Sequence, residues 1–272
     1  MTSYRLRKWD PTAVAGDKTI LVIGKRGSGK SVAIADIMYS VRTRIPAAVV
    51  FSGTEESNGH FGRFVPREYV YPEFNALTME KIMQRQRDLI RRGTPSPICV
   101  VLDDCAYDKR FFSDKTFRFV MLNGRHLRLF TIVSQQYALD TPPYARANFD
   151  YVIVFRDPIA SNRERLYKQF FGIFPNQAAF NDVFSACTED FEALVLDQTS
   201  RSNKVEDTVF WWKAKLRKPF RFGSDAYWLA ARSLSAAPRP QTQQPQPSGP
   251  DKKAKAKGKG KEKEKVRVKK LL

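Results

Sequence analysis

Gly24-Lys25-Arg26-Gly27-Ser28-Gly29-Lys30-Ser31 satisfies the pattern G-x-x-x-x-G-K-[ST] in full. Each part has a physical task. The three glycines let successive backbone N–H groups turn inward around phosphate oxygens, and the helix that follows points its positive N-terminus at them. Lys30 is placed to reach the β and γ phosphates of a nucleoside triphosphate, and the Ser31 hydroxyl to ligate Mg²⁺. With glycine near 7% of residues, a chance match somewhere in a chain of this length is about 1%. Context lowers that further: the apolar run Thr19–Ile23 precedes the loop, and the stretch that follows sets Val32, Ile34, Ile37, Met38 and Val41 near one helical face. Gly24, Lys25, Arg26, Gly27, Ser28, Gly29, Lys30 and Ser31 are therefore the candidate nucleotide-binding residues, with ATP and Mg²⁺ as the expected ligands.

Four more short apolar runs lie outward from this loop: Ala47–Phe51, Ile98–Asp103, Phe130–Ser134 and Tyr151–Phe155. Their length and bounding polar residues predict buried strands. Helices are predicted between them, at Ser31 to Arg44 and at Met79 to Arg92 with Thr78 as the N-cap candidate. A further helix at Ser161–Phe171 leads to an aromatic-rich region and two terminal strands, Ala193–Asp197 and Thr208–Ala214. Alternating strands and helices imply right-handed crossovers and an α/β fold with a mainly parallel sheet covered on both faces.

Two strand ends carry candidate chemistry. Ile98-Cys99-Val100-Val101-Leu102 runs into Asp103-Asp104. Asp103 is the candidate metal-linked acid, and Asp104 the candidate base that polarises the attacking water. Many such enzymes carry Glu in the second place; Asp104 is one methylene shorter, so the water must sit closer or the loop must adjust. Phe130-Thr131-Ile132-Val133-Ser134 runs into Gln135-Gln136. If this strand lies between the phosphate-loop strand and the acidic strand, Gln135 stands beside the γ-phosphate as its sensor. A guanine-specific site is disfavoured, because Asn203-Lys204-Val205-Glu206 lacks the Asp that Asn-Lys-x-Asp requires.

The chain has 272 residues, 42% of them hydrophobic, and a net charge of +19. Residues 251–272 carry +8 of that charge, leaving +11 on the rest. A basic body with a basic tail points to a polyanionic partner, and nucleic acid fits better than membrane because no basic amphipathic helix with an aromatic face is found. Arg85, Arg87, Arg91 and Arg92 form one basic group, and Arg156, Arg163, Arg165 and Lys168 a second; either suits a DNA channel or a solvated helix face. Three cysteines without metal-ligand spacing suggest no disulfide framework. There is no secretory leader and no apolar run long enough to span a bilayer, so membrane insertion and secretion are not expected. Three segments are expected: a basic arm over 1–17 with an exposed Trp9, an ATPase domain over 18–237, and a disordered tail over 238–272, Pro/Gln-rich and then Lys-rich.

The chain resembles the genome-packaging ATPases of nucleocytoplasmic large DNA viruses, the poxvirus-type branch of the FtsK–HerA P-loop superfamily. The resemblance runs from about Thr19 to Lys213. It rests on Val50-Phe51-Ser52-Gly53-Thr54-Glu55, on Asn123-Gly124-Arg125-His126 followed by a strand and Ser134-Gln135, and on Pro143-Tyr144-Ala145-Arg146-Ala147-Asn148-Phe149-Asp150-Tyr151-Val152. It implies a RecA-like core with strand order 5-1-4-3-2 and a ring-shaped homo-oligomer, a hexamer by analogy, with ATP bound between subunits. It also implies translocation of double-stranded DNA into a capsid, a capsid or portal-vertex partner, and a place in the virion or in the host cytoplasm or viral factory, the nucleus staying open because of the basic tail. An arginine finger from the neighbouring subunit is implied, with Arg125 and Arg146 as candidates and Arg146 preferred for its place before the fifth strand. Two other readings stay open: a helicase-like or other P-loop enzyme, and a nucleotide-regulated binding module without turnover.

Overall fold

The centre of the sheet is built from strands that have no solvent face. The computed structural model describes residues 4–107, 110–137 and 141–236. Its strands are β1 (Arg7–Lys8), β2 (Thr19–Ile23), β3 (Ala48–Ser52), β4 (Val70–Tyr71), β5 (Ile98–Asp103), β6 (Leu129–Gln135), β7 (Tyr151–Phe155), β8 (Glu192–Asp197) and β9 (Val209–Lys213). Every residue of β2, β3, β5 and β6 is buried. Such runs are stable only when both faces of a sheet are covered. The nine strands pair in the order β1-β9-β8-β7-β2-β6-β5-β3-β4. β8 alone runs against its neighbours, pairing antiparallel with β7 and β9.

The covering helices are α1 (Lys30–Val41), α2 (Glu55–Asn58), α3 (Ala76–Arg91), α4 (Lys115–Asn123), α5 (Pro143–Arg146), α6 (Ala160–Gln169), α7 (Gln177–Ala186), α8 (Val205–Thr208) and α9 (Asp225–Ala236). Period-2 alternation divides each strand between two cores. Leu21, Val100, Leu102, Val133 and Val154 face Met79 and Met83 of α3, Phe117 of α4 and Phe180 of α7. Ile20, Val22, Val50, Val101 and Ile132 face Ala33, Ile34, Ile37 and Val41 of α1. The aromatic stretch before β8 is core: Phe171, Phe174, Phe180 and Phe184 are all fully buried in one cluster of rings.

Two local expectations are corrected. The N-cap of α3 is Asn75, whose side chain accepts from Thr78 N at 2.8 Å, so the helix starts three residues earlier than predicted. Thr78 supplies the capped N–H instead of the cap. Trp9 is not exposed. It is 6% accessible and packs at 5.1 Å on Trp212 and 5.6 Å on Tyr151, while Arg7–Lys8 pairs with β9 as an edge strand. The charges of Arg7 and Lys8 face solvent, which made the segment look like a free arm, while the indole folds onto the sheet. Residues 238–272, expected to form a disordered tail, lie outside the described residues. Cys99 and Cys105 are buried free thiols.

Trp9→Ala is expected to destabilise the protein by about 3 kcal/mol, the lower end for removal of a buried Trp or Phe. Urea unfolding of the full chain measures it. A change within about 0.5 kcal/mol, typical of a surface site, would return Trp9 to an exposed arm.

Candidate functional site

Parallel strands end together at one edge of the sheet, and the loop 24–29 leaves β2 at that edge. Gly24 N donates to Gln135 O at 3.1 Å, tying the loop to the end of β6. Gly29 is the N-cap of α1 with φ 102°, a conformation open to glycine, and it offers no capping side chain. The first N–H groups of α1 thus lack a side-chain partner and are suited to an anion. Glycine is also required at Gly24, where a Cβ would fall 2.4 Å from Ser28 Oγ and 3.0 Å from Phe155 Cβ. Lys30 is only 7% exposed. Its ammonium donates to Gly24 O at 2.7 Å and lies 3.8 Å from Asp104 Oδ2.

Strand register builds the acidic part of the site. Asp103 is paired across β5 with Ser52 of β3 on one side and Ser134 of β6 on the other. Ser52 Oγ donates to Asp103 Oδ2 at 2.9 Å, and Ser134 Oγ to Oδ1 at 2.6 Å. Asp104 has φ 49°, uncommon for a residue with a side chain, and its N–H donates to Ser134 Oγ. Gln136 Nε2 donates to Asp104 Oδ2 at 3.3 Å. Burial pushes the Asp104 carboxyl up from its ordinary value. The Lys30 ammonium opposes that rise, the Asp103 charge adds to it, and the Gln136 hydrogen bond opposes it. A carboxylate raised this way is a better proton acceptor.

Gln135 is buried at the end of β6, across from Ile23 of β2, and β6 lies between β2 and β5. Its Nε2 donates to Thr141 Oγ1. Arg146 Nη1 donates to Thr141 O at 2.7 Å, so a short relay joins Arg146 to Gln135 through Thr141. Arg125 pairs instead with Asp150 at 3.3 Å, and Asp150 caps Thr19 N at the start of β2. That is the opposite edge of the sheet from the loop, about 15 Å away for a five-residue strand. No hydrogen bond or ion pair joins Arg125 or Arg146 to the loop, Asp103 or Asp104 among the described residues.

Sequence reasoning missed several contributors. Ser52, Ser134, Gln136 and Thr141 act through register and loop closure, which no local pattern encodes. His60 Nε2 lies 3.1 Å from Ser31 O, so the nitrogen facing that carbonyl carries the hydrogen; burial pushes the imidazole pKa down. The end of β3 and the segment after it thus flank both candidate metal-side residues, Asp103 through Ser52 and Ser31 through His60. Val50–Glu55 was singled out in the sequence, but nothing in it assigned this task.

Three buried polar atoms here have no partner among the described residues: Ser28 Oγ, Asp104 Oδ1 and Gln135 Oε1. Orphaned buried polar atoms are uncommon in proteins, and a cluster beside a glycine loop fits a polar ligand. No cluster of three or more metal-ligating side chains exists among the described residues. Ser31 and Asp103 offer oxygen donors, the donor type that suits an ion such as Mg²⁺, which takes few protein ligands and completes its shell from phosphate and water.

No protein-family model matches the chain. The uncharacterized protein L437 of Acanthamoeba polyphaga mimivirus is 34% identical over 232 residues, covering 81% of each chain. The uncharacterized protein 015R of Frog virus 3 is 34% identical over 222 residues, covering 80% of this chain and 69% of its own. Among solved structures, B204, the DNA-packaging ATPase of Sulfolobus turreted icosahedral virus, superimposes with TM-score 0.56 at 18% identity, over 75% of this chain and all of its own. B204 of the second such virus has been solved in complex with ATP-γS. At these identities the structural likeness concerns the fold.

The raised pKa of Asp104 carries a stability consequence. The folded state holds this proton more tightly than the unfolded chain, so stability falls as pH rises through the interval from 3.8 up to the folded value. Above that interval the ionised, buried carboxylate is a destabilising group. Asp104→Asn is expected to raise the melting temperature at pH 7, with the gain shrinking as pH falls below 3.8, where both states of Asp104 become protonated. A melting temperature lowered at pH 7 would contradict this.

Proposed function

The chain belongs to the family of nucleocytoplasmic large DNA virus proteins that includes L437 of mimivirus and 015R of frog virus 3, and we propose that it is an ATP-hydrolysing motor that moves double-stranded viral DNA into a capsid. The observation that carries the ATPase reading is the convergence of Lys30, the raised Asp104 carboxylate and three orphaned polar atoms at the end of β2. The fold it shares with B204, a DNA-packaging ATPase, supports the packaging reading.

In this reading the triphosphate lies along residues 24–31. Lys30 leaves Gly24 O and neutralises charge on the γ-phosphate, and the α1 N-terminus holds the phosphate chain. Asp104 accepts the proton of a water whose oxygen attacks the γ phosphorus. The bond to the β-phosphate oxygen breaks, and ADP and phosphate result. Gln135 Oε1 accepts a hydrogen bond from that water and orients it. Ser31 and Asp103 would hold Mg²⁺, which when bound would offset phosphate charge. Arg146 or Arg125 of a neighbouring subunit in a ring, a hexamer by family resemblance, completes the site, Arg146 being preferred for its place before the fifth strand.

DNA is held by phosphate contacts, which carry no sequence information and let a motor slide. Within the two basic groups, Arg91 is paired with Asp88 and Lys168 with Glu164, which leaves less free charge than the residue count suggests. A capsid or portal-vertex protein is the proposed docking partner, and the virion or viral factory the proposed location. No helix among the described residues is long and apolar enough to cross a membrane.

Phosphate release from ATP, measured with and without double-stranded DNA, tests this directly. Lys30→Ala and Asp104→Asn are each expected to lower turnover at least about 100-fold, the loss typical when one group that stabilises the transition state is removed. The wild-type rate is expected to rise with DNA. Turnover indifferent to DNA would refute the motor, strand separation would favour a helicase, and nucleotide binding without turnover would favour a binding module.

Removing residues 238–272 is expected to leave basal turnover unchanged and to weaken DNA binding, more so at low salt. Lost turnover would make the tail part of the catalytic body.

A further inference from the structure

On the side of the phosphate loop away from the acidic pair, one aromatic ring breaks the pattern of the whole chain. Phe191 is 67% exposed, the most exposed phenylalanine among the described residues, although most others are packed in the two cores. It sits on a turn in which Asp190 has φ 46° and Phe191 φ 63°, a left-handed backbone that bulky residues seldom adopt. Glu192 N closes the turn on Glu189 O at 2.7 Å. The turn holds the ring over the loop: a Cβ built on Gly29 would meet ring carbons of Phe155 and Phe191, each at 3.5 Å. Between this turn, the segment after β7 and loop residues 25–28 lies a cavity of about 320 Å³, bordered by Arg156, Pro158 and Glu192. That volume is within the ordinary range of small-molecule sites.

Topology gives the cavity its direction. β5 and β6, with Asp104 and Gln135, lie on one side of β2, and β7 and β8 on the other. A triphosphate with its γ end between Lys30 and Asp104 therefore sends its nucleoside end toward β7 and β8. An exposed ring on a backbone unsuited to it is unfavourable twice over, through exposure and through conformation, and such features collect at ligand sites.

We propose that Phe191 is the stacking platform for the nucleobase, with the base lying in the 320 Å³ cavity between Phe191 and Pro158. This rests on the nucleotide reading of the loop and adds the group that recognises the base. Stacking reads the π face of a base, which every purine presents, so the ring contributes equally to ATP and GTP.

The experiment compares binding of a non-hydrolysable ATP analogue, its GTP counterpart and inorganic tripolyphosphate, each with Mg²⁺, to the full-length wild type, Phe191→Gly and Phe191→Trp. Glycine suits the left-handed backbone, so Phe191→Gly is expected to melt at or above the wild-type temperature. It is expected to bind both nucleotides about 5- to 100-fold more weakly, the span of base–aromatic stacking, with tripolyphosphate affinity unchanged. Phe191→Trp is expected to keep nucleotide affinity. Wild-type nucleotide affinity in Phe191→Gly would overturn the proposal, as would equal loss of nucleotide and tripolyphosphate, which would mean that the ring only braces the loop. A wild type that binds neither nucleotide nor tripolyphosphate would instead overturn the nucleotide reading on which the proposal stands.

Discussion

In-register parallel pairing of β2, β6 and β5 is the constraint on which everything else depends. Each strand is mostly apolar before its last residues and covered on both faces, so charged groups are excluded from its length. Only the strand ends can carry chemistry, and parallel pairing sends those ends to one edge. Ile23 aligns with Gln135, and Asp103 with both Ser134 and Ser52. A slip of one residue in β5 would move both serine hydroxyls off Asp103 and turn its apolar residues to the wrong cores.

The same edge is where the chain departs from its own rules. Lys30 is buried, Asp104 has a left-handed backbone and a carboxyl oxygen without a partner, and Gln135 has a buried amide oxygen unpaired. Each feature is unfavourable alone. Held together by a rigid sheet, they amount to a preorganised polar site, and preorganisation is what lowers the cost of stabilising charge in a transition state.

The C-terminal part of the fold braces this edge from behind. After β9 the chain crosses α1, where buried Asp36 accepts from Lys215 N at 2.8 Å and from Arg217 Nε at 2.6 Å. Phe220 then stacks on Phe64 at 4.7 Å, Phe64 meets His60 at 5.7 Å, and His60 bonds Ser31 O. The first turn of α1 is therefore linked, through His60 and Phe64, to Phe220, which follows β9 by fewer than ten residues.

Much was legible because it is local. The phosphate loop has its full meaning in eight consecutive residues, the five central strands announced themselves as apolar runs, and the acidic pair and Gln135 sit where those runs stop. The sites that escaped are non-local. Trp9 was misread because its neighbours are charged, and its burial depends on Trp212, about two hundred residues away. Ser52 and Ser134 look like ordinary serines until strand register sets them on either side of Asp103, and Phe191 looks like one more core aromatic until the turn at Asp190 holds it out over Gly29. Sequence by itself determined which residues are the candidates for phosphate-loop chemistry, because backbone conformation and side-chain reach there are set by immediate neighbours. Tertiary structure alone decided which partners tune that chemistry, because hydrogen bonds across strands and contacts between loops depend on register and closure, to which distant parts of the chain contribute at once.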